Sequence, residues 1–532
     1  MPSPTPRLSL EEAKTCIEQD PAFMPFRDLL TNEALFKFIY HEKCCFTGDI
    51  PEDRVVWEID PETGIAKDVG GYRVKTQKPS DAYSPDKFLA FPITGVWLPI
   101  EACHMFTTLD AFQECPLSSA DRKKILFLIH PHSQSIYQGL LDDPSLQKAN
   151  CFALSLSSFR SLLVAIPKTQ GKFELAMVKV SLDQEIEGVR RLLSMRECKL
   201  SVANTLILRQ KMQERAAAGK ESLPISFVED VLSYVPKGYE DVGGMLYRPL
   251  PACLRPTEEA KKIAVMPLLA LYGVKNRDLF EKLVAESGLS LTEFLQNALL
   301  APLAKLFVEM LLYHQTSIQA HGQNLSVVLQ DNKIISFLSR DMGGVSQVIT
   351  SPEQEKMLPE ALQDYSAYSY IENHRKDAKK AFEEHFVQRA LFPLTKQLCK
   401  TQQFLSDENF KRWFDFVEGS GLLANWTTTL PNSMDDEHTI NLPSRQAFCR
   451  YGYVEGWFAR MMINYLKMSG IASDAEAEEF DRHFSLPEQL DDGTMVPPCS
   501  NIRFFEAVVD FIVDKRPVLA ATAESFSFRP RP

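Results

Sequence analysis

QAHGQNLSVVLQDNKIISFLSRDMGG, residues 319–344, holds two apolar runs, Leu325 to Leu329 and Ile334 to Leu338, on either side of Asp331 and Asn332. Asp and Asn favour the backbone of a tight turn, so the pattern predicts a β-hairpin. A hairpin pairs residues equidistant from its turn, which returns His321 and Asn324 to the same open end as Arg340 and Asp341. Four polar side chains then meet beside a Gly-Gly step. An imidazole, an amide oxygen, a carboxylate and a guanidinium in that arrangement suit a nucleotide held with a divalent cation, because magnesium takes hard oxygen ligands and phosphates. The same pattern also describes a hairpin with a solvated polar rim, and the rest of the chain has to separate the two.

At 532 residues the chain exceeds one compact core, and two or three domains are expected. Hydrophobic residues at 45% and charged residues at 24% are ordinary for a globular protein. Lys plus Arg total 58 against 70 Asp plus Glu, a net charge of -12. That balance argues against a general nucleic-acid binder, which needs a basic surface to displace phosphate counterions, and leaves room for a local basic pocket. The eleven cysteines, among them adjacent Cys44 and Cys45, form no CxxC pair and no metal-ligand spacing. A reduced cytoplasmic setting is expected. The amino terminus lacks the pattern of a signal peptide, and no uninterrupted apolar span is expected to cross a bilayer, so no membrane partner is expected.

Residues 1–80 read as a small helical and irregular region. Ser9 with Glu12 forms a capping box, and Leu29, Leu30, Leu35, Phe36 and Ile39 are spaced for a helix over residues 28–41. Residues 81–255 read as β-rich. KILFLI (124–129) is a buried strand that delivers His130 and His132 to its end, where histidines are more often structural than catalytic. SLSSFRSLLVAI places Ser158 and Arg160 between apolar residues, and the strand FELAMVKVSL carries Lys179 and Ser181 on one face. A lysine on a central strand needs an anion or a way out. In DQEIEGVRRLLS a helix is predicted, capped by Asp183, with Ile186, Val189 and Leu193 buried. Arg160, Lys179 and Arg191 could then converge on one phosphate chain. Alternatively, Glu187 pairs with Arg191 four residues on and both are solvated. Residues 256–532 read as a mainly helical unit containing the hairpin. Ser290 and Glu293 cap a long helix running through Leu306 and Met310, kinked at Pro302.

The order SSFR, KVSL with Arg191 and Ser194 downstream, AHGQN and RDMGG resembles the IucA/IucC family of siderophore synthetases that work without a peptide-synthetase assembly line. Each motif alone is weak, and their succession carries the resemblance. It implies an α+β, multi-domain fold like a hand, with a helical thumb, a β-rich fingers region of antiparallel sheet, and a palm with a helical C-terminal half. It also implies ATP and Mg2+ as cofactors, a carboxylate such as citrate that is adenylated, and an amine, a polyamine or amino acid derivative, that displaces AMP. Carried over by motif, Ser158, Arg160, Lys179, Arg191 and His321 would bind ATP, with His321, Arg191 and Lys179 catalytic. Gln319, Asn324 and Asp341 would be metal ligands, and a homodimer is an expectation of the same kind. This chain departs from the family at Gln319, where a glutamate is usual, at Glu187, where a threonine is usual, and in lacking the upstream HPxHPxxK motif. Two other readings stand beside the ligase: a nucleotide-binding relative with weak or no ligase activity, and a kinase-like phosphotransferase, which would release ADP.

Overall fold

The computed structural model describes residues 8–44, 57–59, 66–68, 83, 85, 88–108, 115–156, 158–168, 171–186, 189–258, 262–272, 277–314, 316–320, 322–347, 461–485, 488–489, 495–496 and 511. His321, Glu187, most of residues 47–84, the segment ENHRKDAKKAFEEHF and the SFRPRP tail, all read above, lie outside them.

The amino terminus opens as the capping box predicts. The Ser9 hydroxyl accepts from the Glu12 N–H at 3.2 Å and the Glu12 carboxylate accepts from the Ser9 N–H at 2.7 Å, starting helix α1 (Leu10–Gln19). The helix expected over 28–41 is instead two pieces, a 3-10 helix over Pro21–Thr31 and helix α2 (Glu33–Cys44), broken at Asn32. The Asn32 side chain accepts from the Leu35 N–H at 3.2 Å, so a local side-chain cap restarts the helix.

Eight strands form one antiparallel sheet: β1 (Phe91–Pro99), β2 (Cys103–Thr107), β3 (Lys124–Ile129), β4 (Gln147–Ser155), β5 (Ser161–Pro167), β6 (Phe173–Val180), and, after two short strands β7 (Glu185–Ile186) and β8 (Val189–Arg190) and the edge strand β9 (Ile225–Phe227) that belong elsewhere, β10 (Leu232–Pro236) and β11 (Met245–Arg248). The spatial order is β2-β10-β11-β6-β5-β4-β1-β3, so β6 is interior, as its apolar content on both faces predicts. A four-stranded sheet combines β9 with β12 (Ile263–Pro267), β13 (Leu325–Gln330) and β14 (Lys333–Ser339) in the order β9-β14-β13-β12, with β9 parallel to β14 and the other pairs antiparallel. The fold is therefore α+β, built on antiparallel sheets, as expected.

The hairpin forms where its turn residues place it. Asp331 and Asn332 take φ of 48° and 62°, the left-handed pair that matches strand twist. Gln330 pairs with Lys333, and a bulge between Val328 and Leu329 shifts the register so that Val328 faces Ser336. Ile335 is the residue pushed out, and it is exposed.

Two other expectations change. DQEIEGVRRLLS is no helix: β7 and β8 pair as a small hairpin, Ile186 opposite Val189, and Asp183 accepts from Arg190 Nε at 2.7 Å instead of capping. The helix begins later, as α3 (Met195–Ala217), where the Ser194 side chain and Glu197 make a complete capping box. A helical ion pair of Glu187 with Arg191 falls with the helix. The run capped by Ser290 is long, passing through a π-helical segment (Phe294–Leu300) into helix α4 (Ala301–Leu312), with Pro302 at the junction. Against expectation, Phe294–Leu312 is long and apolar enough to cross a membrane. Its most apolar window is 67% buried in the protein's own core, among Leu299, Leu303, Phe307 and Leu311.

The N-terminal helices lock the two sheets together. Phe26, Phe36 and Ile39 share one apolar cluster with Leu163 and Met177 of the large sheet and with Val328 and Leu338 of the hairpin. Helix α2 adds polar ties at its end: Lys43 donates to the Ser155 carbonyl at 2.7 Å, and Glu42 accepts from Arg340 at 2.6 Å.

Candidate functional site

Strand alternation sets the site's floor. Val178 and Val180 pack into one face of the large sheet, while Met177 and Lys179 project from the other. Lys179 is paired across the sheet with Ser161 and Leu246 and is 5% exposed. Its anion comes from the hairpin. The Lys179 ammonium donates to Asp341 Oδ1 at 2.5 Å, joining residues 162 apart in the chain.

Asp341 is held at an unusual backbone position, φ 72° and ψ 70°, a left-handed conformation that costs a non-glycine residue about 1 kcal/mol or more. What fixes it is the turn that follows. The buried Asn204 side chain of α3 donates to the carbonyls of Met342 and Val345, both at 2.9 Å, clamping both ends of a 3-10 turn over Met342–Gly344. The two glycines keep that turn close to its surroundings. A Cβ on Gly343 would lie 3.6 Å from Asp341 Oδ1, and one on Gly344 would meet Gln319 Oε1 at 2.7 Å. Gln319 and Asp341 therefore flank the same Gly-Gly step.

Two further cations stand behind this pair. Arg248, on β11, donates from Nε to Asp230 Oδ1 at 2.5 Å and lies 4.0 Å from Asp341; both it and Asp230 are fully buried. Arg160, in the turn between β4 and β5, donates to the carbonyls of Arg191 and Leu192 at 3.3 and 3.0 Å. Lys179, Arg160 and Arg248 thus stand around Asp341, with Asp230 beside Lys179 and Arg248 and with Glu197 and Arg191 near Arg160, so four positive charges stand against three negative. Burial opposes the Asp341 charge, but Lys179, Arg248 and Arg160 overcome it and hold the carboxyl well below its ordinary range. Burial pushes the Lys179 ammonium down; Asp341 offsets part of that, and the neighbouring arginines add to it.

The remaining predicted residues divide. Ser158 sits in the same turn as Arg160, its hydroxyl accepting from the Ser161 N–H at 3.1 Å. Arg191 is half-buried, its N–H bonded to the Gln184 carbonyl at 2.9 Å and its own carbonyl held by Arg160. Asn324 is buried, its carbonyl accepting from the Arg340 N–H at 2.9 Å, and its side-chain Nδ2 has no hydrogen-bond partner. A buried amide left open is the kind of group that a bound oxygen-rich ligand would satisfy. Arg340, read at the hairpin's mouth, turns the other way: it donates to Glu42 and, through Nε at 2.7 Å, to the Gln323 carbonyl. Its guanidinium is thus committed to those two partners and not to Asp341. His130 is fully buried, its Nδ1 accepting from the His132 N–H at 3.2 Å, and burial pushes it down to about 3. It is a core histidine packed edge-on against Tyr83 and Phe91.

Sequence reading missed Asn204, Asp230 and Arg248. Arg248 carried the signal already used for Lys179, a charge inside an otherwise buried strand; Asn204 and Asp230 carried none. Among the described residues no group of three or more His, Cys, Asp or Glu side chains gathers as a metal site. The donors present are one carboxylate, Asp341, and the amides of Gln319 and Asn324. That set fits a magnesium ion held mostly by phosphate oxygens, since such ions commonly take only one or two protein carboxylates.

No curated protein matches the chain in sequence. Residues 293–410, which contain helix α4 and the hairpin, match the family model described as ferric iron reductase FhuF-like transporter. In structure the chain is similar to aerobactin synthetase IucC from a hypervirulent pathotype of Klebsiella pneumoniae, at 12% identity over 94% of this chain and 86% of that one, TM-score 0.49. ATP-bound aerobactin synthetase IucA from the same pathotype is 16% identical over 71% of this chain and 67% of that one, TM-score 0.46. The petrobactin biosynthesis protein AsbB from Bacillus anthracis str. Sterne is also similar, 10% identical over 79% of this chain and 70% of that one, TM-score 0.49.

Proposed function

We propose that the chain is an ATP-dependent siderophore synthetase that adenylates a carboxylate such as citrate and joins it to an amine. The supporting observation is the contact of Lys179 with Asp341, which brings the cations of the large sheet and the carboxylate of the hairpin to one centre with positive charge in excess. A triphosphate is the polyanion that such a centre suits.

In the first step a carboxylate oxygen of the acid attacks the α-phosphorus of ATP. A P–O bond forms, the bond to the β-phosphate bridging oxygen breaks, and pyrophosphate leaves with the electron pair. Negative charge grows on that leaving group, and cations already fixed in place stabilise it without reorganising. Lys179, Arg160 and Arg191 take that role, with Ser158 donating to a phosphate oxygen and His321 assigned to ATP by motif alone. Lys179 passes from Asp341 to phosphate as ATP enters. Asp341, Gln319 and Asn324 would hold Mg2+, which when bound neutralises phosphate charge and draws electron density from the phosphorus. Gln319, lacking the charge of a glutamate, makes that hold weaker. In the second step the lone pair of an uncharged amine attacks the acyl carbon, the C–O bond to AMP breaks, and the ammonium so formed gives its proton to water. Proximity supplies much of that rate, and no protein nucleophile is needed. We place this chemistry in the cytoplasm, with small-molecule partners and no nucleic acid, in a chain that associates as a homodimer.

Product analysis tests the reading. The full chain with ATP, magnesium and a panel of carboxylic acids is expected to release AMP and pyrophosphate only when an acid is present. ADP as the nucleotide product would show a phosphotransferase instead, and nucleotide binding without any acid-dependent turnover would show a non-catalytic relative.

A further inference from the structure

A buried arginine, Arg248, lies beside the contact of Lys179 with Asp341, and no step of the reaction above uses it. It projects from β11 on the same face of the large sheet as Lys179, because its cross-strand partner is Met177 and that of Leu246 is Lys179. It is 2% exposed, and its fork is committed to Asp230, from Nε to Oδ1 at 2.5 Å and from Nη2 to Oδ2 at 3.4 Å. The same Nη2 lies 4.0 Å from Asp341 Oδ1, the oxygen that Lys179 holds. Two cations therefore aim at one carboxylate oxygen, one bonded to it and one standing just out of bonding distance.

One helix fixes this geometry from both ends. Ser201, Asn204 and Thr205 are buried polar residues spaced along a single face of α3. Asn204 clamps the turn after Asp341, while the Thr205 hydroxyl accepts from the Asp230 N–H at 3.1 Å. The carboxylate and the anchor of its second cation are thus tied to adjacent residues of one rigid element. Stability alone does not account for such a pair, since apolar residues of similar volume often do as well.

In the ligase reading Lys179 leaves Asp341 for the phosphates of ATP. A carboxylate with one adjacent cation would be stranded by that move, and the strength of the buried pair would hold the lysine back. A second fixed cation lowers the cost: Arg248 closes on the oxygen that Lys179 vacates, and beforehand its charge repels Lys179 and loosens it. We propose that Arg248 is a positioning residue, locked by Asp230, that keeps Asp341 in place while Lys179 turns to the nucleotide. This rests on the ligase reading and assigns to that site a residue it left idle.

The test uses the full chain with and without nucleotide. Arg248→Met alone would strand Asp230, so the charge is removed as Arg248→Met together with Asp230→Leu, an apolar replacement of the whole pair. Without nucleotide, urea unfolding of that double variant, of Lys179→Met and of the three substitutions combined forms a thermodynamic cycle. The unfolding constant of the combined variant is expected to exceed the product of the separate effects by at least roughly tenfold, because only there has Asp341 lost both adjacent cations. With ATP and magnesium, calorimetry is expected to show the double variant binding ATP roughly tenfold more weakly, and Arg248→Lys, which keeps the charge, within about threefold of the unmodified chain. An additive cycle would overturn the proposal, as would unchanged ATP affinity in the double variant; a purely structural pair would move neither. Acid-dependent AMP release by the unmodified chain reports separately on the ligase reading, and the nucleotide-free cycle does not depend on it, so a failure of either is told from a failure of the other.

Discussion

Two of the ion pairs inside this protein differ in what surrounds them. Lys179 with Asp341 and Arg215 with Glu309 are both short, at 2.5 and 2.6 Å, and each has one partner from the first half of the chain and one from the second. Arg215 and Glu309 are 7% and 5% exposed, and the Tyr465 hydroxyl covers the pair by donating to Glu309. Arg215 spends another donor on the Glu221 carbonyl at 2.5 Å. Asp341 by contrast is 28% exposed, rests on a left-handed backbone, and faces two more cations than the one that holds it. Burial of charge is common to both. An open side and a strained residue belong only to the first, and these are the features expected of a binding place and not of a structural tie.

Substituting one member of each pair gives the largest contrast. Lys179→Met is expected to lower acid-dependent AMP formation by roughly 100- to 1,000-fold, the usual loss when a fixed transition-state donor is removed. Arg215→Met is expected to leave the rate per folded molecule near normal while urea unfolding shows a loss of about 3–5 kcal/mol, the cost of stranding a buried carboxylate. The reverse pattern, with Arg215 needed for turnover and Lys179 only for stability, would invert the assignment.

Acidification separates the two regions by pH window. Burial, reinforced by Lys211, Arg215 and Lys220, pushes His314 down to about 4 from 6.5. The unfolded chain then binds more protons than the folded one between those values, so stability is full above pH 6.5 and falls as the pH drops toward 4, by about 3 kcal/mol. Melting temperatures of the His314→Gln variant should lose most of that slope. Asp341, held below its ordinary 3.8, contributes stability above that value and loses it only at lower pH, so the cleft pair should outlast the histidine step. A single transition below pH 4 would remove the distinction.

The smallest effect is expected at Gly344→Ala. The added methyl would crowd Gln319 Oε1 at 2.7 Å, and that side chain can swing aside. Stability should fall by about 1 kcal/mol, and the magnesium concentration for half-maximal turnover should rise by less than roughly tenfold. An unchanged magnesium requirement would separate Gln319 from the metal.

How far the residues foretold this arrangement depends on how local each cause is. Asp331 and Asn332 announce their own turn, and Ser9 with Glu12 and Ser290 with Glu293 announce their own helix starts, because each device is complete within four residues. DQEIEGVRRLLS misled because Ile186, Val189 and Leu193 have helical spacing, whereas Asp183 bonds Arg190 and the Ser194 cap places the helix start beyond them. Arg340 misled because its true partner, Glu42, is 298 residues away. Asn204, which fixes the turn behind Asp341, is 138 and 141 residues from the carbonyls it holds, and nothing near it in the chain signals them. Lys179 and Asp341 were read as neighbours of one nucleotide; that they would bond each other directly was not.

The span between Lys179 and Asp341 also sets when this centre can come into being. With 162 residues between them, and a ribosome adding about 5–20 residues per second, the lysine waits on the order of 10–30 s before its aspartate has been made. During that interval the large sheet can close on its own hydrogen bonds, but the ammonium within it lacks its counter-ion. A chain released before residue 341 would carry an unbalanced charge at its heart, and cellular quality control could recognise such a truncated product by its instability.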